Sequence, residues 1–310
     1  MQLKARHKTA GIIVGAALLL AAPYLAPYQA LATQMLIFAI FAIGFDILFG
    51  YTGLLSFGHA AFFGLGAYGT GLSLIHLTSS VPLALGLGIL LAVLVAVPMG
   101  FLSTQRHGIY FAMVTLAFAQ LIYFIAFQWR SLTGGDDGLQ GVPRPSLGPV
   151  DLSSDLVYYY FVLLMFILAL VVGVRVIRSP FGRVLQALRE NGDRAMSVGY
   201  DPRKYKLISF VISAGFAALA GGLYAMLQNF VPLFSLGLDL SGEIVLMTLV
   251  GGMGTIYGPV VGAMAIVYVK DFLSSQTDVW PLIMGLLYVV SVMTFRRGVV
   301  KELKERLLKS

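Results

Sequence analysis

The stretch SPFGRVLQALRENGDRAMSVGYDPRKYK, residues 179–206, decides the fold because it is a long charged interruption in an otherwise apolar chain. Hydrophobic runs flank it, so it lies in water between two membrane helices, and its basic excess places it in the cytoplasm. Ser179 and Pro180 are typical of a helix start. Gly192 is expected to break this helix, and Gly199 to end a second, short one. Apolar residues of the first helix share one face: Val184, Leu185 and Leu188.

This helical hairpin, residues 178–206, has two interpretations. It is either a docking element for a cytoplasmic partner or a basic loop that only sets the membrane topology. The sequence contains no Walker A sequence, no HExxH, no GxSxG and no chain of carboxylates and histidines for proton coupling. An energised transporter without a nucleotide site must draw its energy from another subunit, which favours the docking interpretation.

Composition predicts an all-α polytopic membrane protein. Of 310 residues, 58% are hydrophobic and 11% are charged, whereas soluble domains carry about 25% charged residues. Basic residues at span ends and tails explain most of the net charge of +7, so no nucleic acid is needed to account for it. The absence of cysteine excludes disulfides and thiolate metal sites, and no cofactor is predicted.

Hydrophobic runs predict about ten membrane segments within one transmembrane domain, residues 1–310. The first run resembles a signal peptide with a cleavage-like sequence at 30–32, but its length favours an uncleaved span. Both termini, including the tail 296–310, are expected in the cytoplasm. The predicted segments are 10–26, 31–49, the second half of 50–77, 81–102, 109–127, 156–177, 207–227, two within 241–273, and 280–295.

Two glycine-rich regions are predicted to be broken membrane helices. Since the chain must lie outside both before and after residues 241–273, this region crosses an even number of times. We therefore expect two helices with a break at Gly254–Pro259. In the seventh span, small residues at Ala214, Ala218 and Gly222 form a close-packing stripe.

The two glycine-rich regions also align with each other. Gly53 and Gly64 match Gly251 and Gly262 at one register, and interrupted segments at corresponding places indicate a transport path. Alternatively, the match is chance and these glycines only let helices approach closely. The predicted path residues are Gly53, Ser56, Gly58, His59, Gly251, Met253, Gly254 and Thr255.

A polar loop at residues 128–155 is rich in Gly, Pro, Asp and Ser, and counting spans places it outside. Its length and turn residues predict an ordered surface held for a partner. Gly135, Asp136 and Asp137 are the residues we expect to form that surface.

Ionisable residues inside apolar runs are few, and each is a functional candidate by default. Asp46 lies near the cytoplasmic end of its span, where a structural contact with the interface or a helix N-terminus is an equal alternative. His59 is expected either to cap a helix or to line the path. Glu243 is expected near a helix start, complementing the helix dipole. Lys270 and Asp271 lie near an outer boundary.

Four segments in this order resemble the permease subunit of branched-chain amino acid ABC importers, specifically the larger, M-type partner of the permease pair. The likeness covers about residues 36–297, most of the chain. The segments are GYTGLLSFGHAAFFGLGAY (50–68), TGGDDGLQGVP (133–143), SPFGRVLQALREN with VGYDPRKYK (179–191 and 198–206), and LVGGMGTIYGPVVGA (249–263).

The resemblance implies a non-enzymatic permease of the bacterial inner membrane. In that family a second related permease completes the pore, two cytoplasmic ATPases drive it, and a periplasmic binding protein delivers leucine, isoleucine or valine. The outer loop is then expected to receive the binding protein, and the hairpin to dock on an ATPase. The implied coupling residues are Arg183, Arg189, Glu190, Asn191, Arg194 and Gly199.

The sequence departs from the family pattern in two places. Asp46 stands where the family usually has Asn, and Gly192, Asp193, Arg194 and Ala195 depart from the usual start of the second hairpin helix. Related importers of urea, short amides and other amino acids share this permease type. A stand-alone secondary transporter or channel, and a membrane scaffold or enzyme, are the rival classes.

Overall fold

A computed structural model describes residues 15, 17–106, 108–147 and 150–294. The start of the first predicted span, residues 10–14, and the tail 296–310 lie outside this described part. The helices are α1 (17–25), α2 (Gln29–Asp46), α3 (His59–His76), α4 (Val81–Ser103), α5 (Ile109–Gln128), α6 (Arg130–Thr133), α7 (Asp155–Arg178), α8 (Pro180–Glu190), α9 (Gly192–Ser197), α10 (Pro202–Gln228), α11 (Leu238–Gly251), α12 (Tyr257–Gln276) and α13 (Trp280–Thr294).

The described part of the chain is a helical bundle, as predicted. Five of its helices are long and apolar enough to cross a membrane: α2 with its π-helical continuation, α4, α5, α7 and α10. The shorter or less apolar α1, α3, α11, α12 and α13 complete the bundle, so a count of about ten segments depends on them. Only about a third of α4, α5 and α7 is buried, which leaves the broad apolar faces that mark contact with lipid or with another subunit.

Helix α10 lies at the centre, packed against α3, α2 and α4. The predicted small-residue stripe is confirmed: Ala214 and Ala218 are buried, and a Cβ on Gly222 would meet the Thr70 side chain of α3. Glycines of α3 are needed for the same close approach, because a Cβ on Gly66 would overlap with the Ala218 backbone of α10. The two backbones therefore approach closely through small residues on both helices.

The hairpin has the predicted start and the predicted apolar face. The Ser179 hydroxyl accepts a hydrogen bond from the Gly182 amide (3.4 Å), and α8 begins at Pro180. Val184, Leu185 and Leu188 are buried. Gly199, at φ +96°, follows the second helix as expected.

The break inside the hairpin differs from the prediction by one residue. Helix α8 ends at Glu190, and Gly192 opens α9 instead of separating the two helices. The reason is Asn191, whose side-chain oxygen accepts a hydrogen bond from the Arg194 amide (3.0 Å) and so caps α9.

Both predicted helix breaks exist, the first within the predicted glycine-rich region and the second two residues earlier than predicted. Helix α2 continues as a π-helix over Ile47–Tyr51, and the chain is irregular until α3. The second break, residues 252–256, begins two residues before the predicted Gly254–Pro259 and overlaps it, with Gly252 at φ +106° and Gly254 at φ +74°. Pro259 lies in the first turn of α12, where its missing N–H costs no helical hydrogen bond.

The loop at 128–155 is ordered by pairing with the end of α10. Strand β1 (Leu139–Gln140) pairs antiparallel with β2 (Phe230–Val231), with Leu139 opposite Val231. Two short 3-10 helices, Gly135–Asp137 and Leu233–Leu236, flank this pairing. The loop and the start of α11 thus share one end of the bundle, and the hairpin lies at the other.

Candidate functional site

The hairpin is joined to the first helix break through Arg189 of α8. Its guanidinium donates a hydrogen bond to the Gly50 carbonyl oxygen at the end of the π-helix. Its aliphatic stem packs on Gly53, where an added Cβ would lie 3.0 Å from Arg189 Cγ. Gly53 also has a positive φ of +78°, so the backbone here both bends sharply and makes room for the arginine.

The two helix breaks are joined to each other through Asp46. Its side chain is 1% exposed, and its Oδ1 accepts a hydrogen bond from the Gly254 amide (2.8 Å). A Cβ on Gly254 would lie 3.2 Å from both the Gly50 oxygen and Arg189 Nη1. Asp46 therefore makes a structural contact with the second break, one of the two roles expected for it.

We call Asp46, Gly50, Gly53, Arg189 and Gly254 the hairpin junction. Beside it lies a cavity of about 420 Å³, to which both breaks and the hairpin contribute. Met253 from the second break is 38% exposed. The residues that line this cavity are Phe49, Thr52, Gly53, Leu54, Gly108, Leu188, Arg189, Lys206 and Met253. A movement of the hairpin would act on both breaks at this point.

Three predicted path residues, Ser56, Gly58 and His59, lie in the packed interior at the start of α3. The Gly58 amide donates to Ser56 Oγ (3.2 Å), and a Cβ on Gly58 would lie 2.6 Å from the Thr115 carbonyl oxygen. A larger side chain at Gly58 would thus push α5 away.

The capping role expected as one alternative for His59 is wrong. Within the described part of the chain, its Nδ1 has no hydrogen-bond partner, so the side chain does not cap α3. Instead, Nε2 lies 2.7 Å from Ser213 Oγ, and that hydroxyl donates to the Gly44 carbonyl oxygen (2.6 Å). The ring is fully buried and meets the edges of three aromatic rings: Phe45, Phe62 and Phe210. His59 thereby links α2, α3 and α10.

Two of the remaining path residues, Gly251 and Thr255, shape the second break itself. A Cβ on Gly251 would strike the Gly258 backbone, and one on Gly262 would lie 2.7 Å from Gly251 Cα. These two glycines let α11 and α12 approach, which is the alternative considered for them above. Thr255 Oγ1 donates to the Gly252 carbonyl oxygen (2.7 Å) and closes the turn.

The expected docking residues form the short helix Gly135–Asp137. Gly135 is buried, with φ +63°, and its amide donates to Thr133 Oγ1 (3.2 Å). The side chains of Asp136 and Asp137 are exposed. Asp136 also lines a cavity of about 540 Å³ together with Asp239 at the start of α11.

Sequence reasoning missed Arg144, which anchors the loop at residues 128–155 to α10. Its Nε donates to the Met226 carbonyl oxygen (2.6 Å), its Nη2 donates to that of Leu227, and its Nη1 pairs with Asp155 (2.6 Å). The carbonyls at a helix end lack helical partners, so this arginine satisfies the end of α10. No local sequence pattern predicts this role of Arg144, because its carbonyl partners lie 82 and 83 residues away in sequence.

Glu243 also differs from its expected place. Helix α11 begins at Leu238, and Asp239 occupies its first turn, so Glu243 lies too far along to act on the helix N-terminus. Its carboxylate pairs instead with Lys270 of α12 (2.9 Å). Among the residues that the structure describes, no group of three or more His, Asp or Glu is placed to hold a metal ion.

The site and the fold together define a membrane permease: a bundle of apolar helices with broken segments, joined to a folded, charged hairpin. The profile of the family described as "Branched-chain amino acid transport system / permease component" matches residues 28–292. The chain belongs to this family. It is a permease component of a transport system and not an enzyme.

Relatives by sequence are also named as permease proteins of transport or import systems. The high-affinity branched-chain amino acid transport system permease protein LivM of Escherichia coli (strain K12) is 29% identical over 87% of this chain and 69% of its own length. The probable LivM of Methanocaldococcus jannaschii is 26% identical over 76% and 78%. The autoinducer 2 import system permease protein LsrC of Salmonella paratyphi B is 25% identical over 62% and 63%. No solved structure matches the chain.

Proposed function

We propose that this chain forms the translocation path of an ABC importer for leucine, isoleucine and valine, powered by separate ATPase subunits. The observation that carries the proposal is the hairpin junction: the hairpin proposed to dock on an ATPase donates a hydrogen bond through Arg189 to Gly50, beside the first helix break. The relatives named for branched-chain amino acid transport support the substrate class.

The proposed membrane arrangement has about ten crossing segments, α1 to α5, α7 and α10 to α13 without the short α6. The hairpin 178–206 faces the cytoplasm because of its basic excess, so the loop 128–155 faces the periplasm. In this orientation both termini lie in the cytoplasm. Residues 1–310 then form one permease domain in the bacterial inner membrane. The proposed partners are a second related permease, two cytoplasmic ATPases and a periplasmic binding protein.

The hairpin residues have different proposed roles in coupling. Arg189 transmits force to the junction, while Asn191 and Gly199 set the shape of α9. Arg183, Glu190 and Arg194 are exposed and available to an ATPase surface. For the path, Gly53 and Met253 line the cavity at the junction, and Ser56, Gly58, His59, Gly251, Gly254 and Thr255 hold the two breaks in position.

Reconstitution tests the function directly. The permease pair, ATPases and binding protein are placed in proteoliposomes, and uptake of labelled leucine, isoleucine and valine is measured with ATP, with a non-hydrolysable analogue and with an ion gradient alone. We expect uptake only with hydrolysable ATP. Uptake driven by the ion gradient would instead show a secondary transporter, and preference for urea or short amides would reassign the substrate.

The outer loop provides a second test of this arrangement. Replacing Asp136 and Asp137 together with lysine should lower the apparent affinity for the binding protein about tenfold, because a charge reversed at a docking rim slows association. Basal ATP hydrolysis should persist, since both side chains are exposed. Stimulated hydrolysis is measured across a titration of binding protein, with Asp278→Lys on another outer turn as the control. An unchanged titration curve would make the loop a connector only.

A further inference from the structure

A second cavity, of about 640 Å³, lies near the outer end of the bundle between α11, α12 and α13. Asp239 and Leu238 line both this cavity and the one beside the outer loop, so the two are neighbours. The walls of the 640 Å³ cavity are largely apolar and come from four parts of the chain. They include Phe57 from the first helix break, Leu246 of α11, and Trp280 and Met284 of α13.

An ion pair is exposed to this cavity. Lys270 Nζ lies 2.9 Å from both carboxylate oxygens of Glu243, and the side chains are 33% and 12% exposed. Lys270 also lies 5.8 Å from the centre of the Trp280 ring. Both charged residues line the cavity, so each presents a charge to its interior while being neutralised by the other.

The two charges match the two ends of a free amino acid. An α-ammonium group is the natural replacement for Lys270 on the Glu243 carboxylate, and an α-carboxylate is the replacement for Glu243 on Lys270. Charge-assisted hydrogen bonds of this kind are the strong ones. The apolar walls suit an aliphatic side chain, and a volume of about 640 Å³ is within the usual range for small-molecule sites.

The pairing also explains how such a site would release its substrate. A lone buried charge would hold one end of a zwitterion tightly and leave a costly unpaired charge after release. Here the protein pair re-forms when the substrate leaves, so no charge is left alone in either state. The exchange involves no covalent chemistry.

We propose that Glu243 and Lys270 form an exchange site for zwitterionic amino acids with aliphatic side chains at the outer mouth of the path. This inference rests on the proposed function and names the groups that recognise its substrate. A zwitterionic lipid headgroup shares the ammonium-and-anion chemistry and is separated from the amino acid in the second experiment below.

The first experiment neutralises both charges together, which avoids leaving either one unpaired. In the assembled importer, Glu243→Gln with Lys270→Gln should lower leucine imported per ATP hydrolysed about tenfold or more, because two hydrogen bonds to charged groups are lost. Asp278→Asn, an exposed carboxylate in the neighbouring turn, should leave this ratio unchanged. A wild-type ratio in the double variant would overturn the inference.

The second experiment does not depend on how the double variant folds. Because the chain has no cysteine, Leu246→Cys places a single thiol on the cavity wall of an otherwise intact permease. Its reaction rate with a cationic methanethiosulfonate is measured in the complex, with Leu282→Cys as an exposed thiol outside the cavity. We expect leucine to slow labelling of Leu246→Cys at least threefold and to leave Leu282→Cys unaffected.

The two charged ends are tested with matched analogues and lipids. 4-Methylpentanoate lacks the ammonium and 3-methylbutylamine lacks the carboxylate, so neither should protect the thiol. Protection by either analogue equal to that by leucine would overturn the inference. So would protection that occurs without leucine whenever phosphatidylethanolamine is present in the vesicles. If leucine protects the thiol but wild-type importer does not import it, the proposed function fails and the site stands. If import is normal without protection, only the site fails.

Discussion

Replacing Arg189 with methionine should abolish at least 99% of leucine uptake while the importer still assembles and its ATPases still hydrolyse ATP. Methionine keeps an apolar stem to pack on Gly53 but removes the guanidinium that donates to the Gly50 carbonyl oxygen. A hydrogen bond from a charged group contributes about 1.5–3 kcal/mol, which corresponds to roughly 10- to 100-fold in an equilibrium. We expect the upper end, because this contact joins the hairpin to the first break.

The matched control is Arg203→Met. Arg203 is an exposed arginine at the start of α10, so its replacement with methionine removes the same charge from the same face of the protein. Its uptake should stay near wild type, and co-purification of the ATPases reports assembly for both variants. Comparable uptake by the Arg189 and Arg203 variants would refute the junction as the coupling route. Loss of ATPase binding only in the Arg189 variant would assign the arginine to docking instead.

Local features of the hairpin were predictable because they depend on neighbours in the sequence. Ser179, Pro180 and the apolar face of α8 follow from helix-capping and periodicity rules, and the structure confirms them. Asn191 was harder to place, since Gly192 is the more obvious helix breaker. Its side chain caps α9, and an asparagine before a helix is an equally local signal for a helix start that the prediction did not use.

Long-range contacts were not predictable in the same way. The partners of Arg189 and Asp46 lie 139 and 208 residues away in sequence, and no periodicity connects them. Glycine-rich composition indicated both breaks but not their exact positions, because Gly252, Gly254 and Gly258 are equally permissive until packing selects among them. Lys270 was noted only as a residue near a boundary, and its pairing with Glu243 depends on how α11 and α12 meet.

Helix α11 physically connects the two proposed sites. It has 14 residues, about 21 Å at 1.5 Å per residue. Glu243 faces the outer cavity from its first half, and Gly251 ends it beside the junction. A hinge at Gly252–Ile256 would let the helix move as a rigid rod, so force applied at Arg189 has a short mechanical route to the ion pair.

The anchor of that hinge is Asp46, and replacing it with leucine should eliminate uptake. Leucine has the same number of side-chain heavy atoms and the same branching, but it leaves the Gly254 amide without its acceptor at 2.8 Å, and an unsatisfied buried donor costs about 1–3 kcal/mol. Asp46→Asn keeps a side-chain oxygen at this position and should import leucine at a rate within about twofold of wild type. The asparagine variant is the matched control for shape and hydrogen bonding.

Hydrogen exchange distinguishes a released hinge from a general loss of structure. In Asp46→Leu, amides of residues 252–256 should exchange about tenfold faster or more, because local opening free energies fall by the energy of the lost contact. Amides within α10, whose central stretch is packed through Ala214 and Ala218, should keep wild-type protection, and Asp46→Asn should match wild type throughout. Unchanged exchange at 252–256 together with normal uptake in Asp46→Leu would show that the Asp46–Gly254 contact does not hold the hinge. Faster exchange across α10 as well would mean that Asp46 supports the whole bundle and has no specific role in the break.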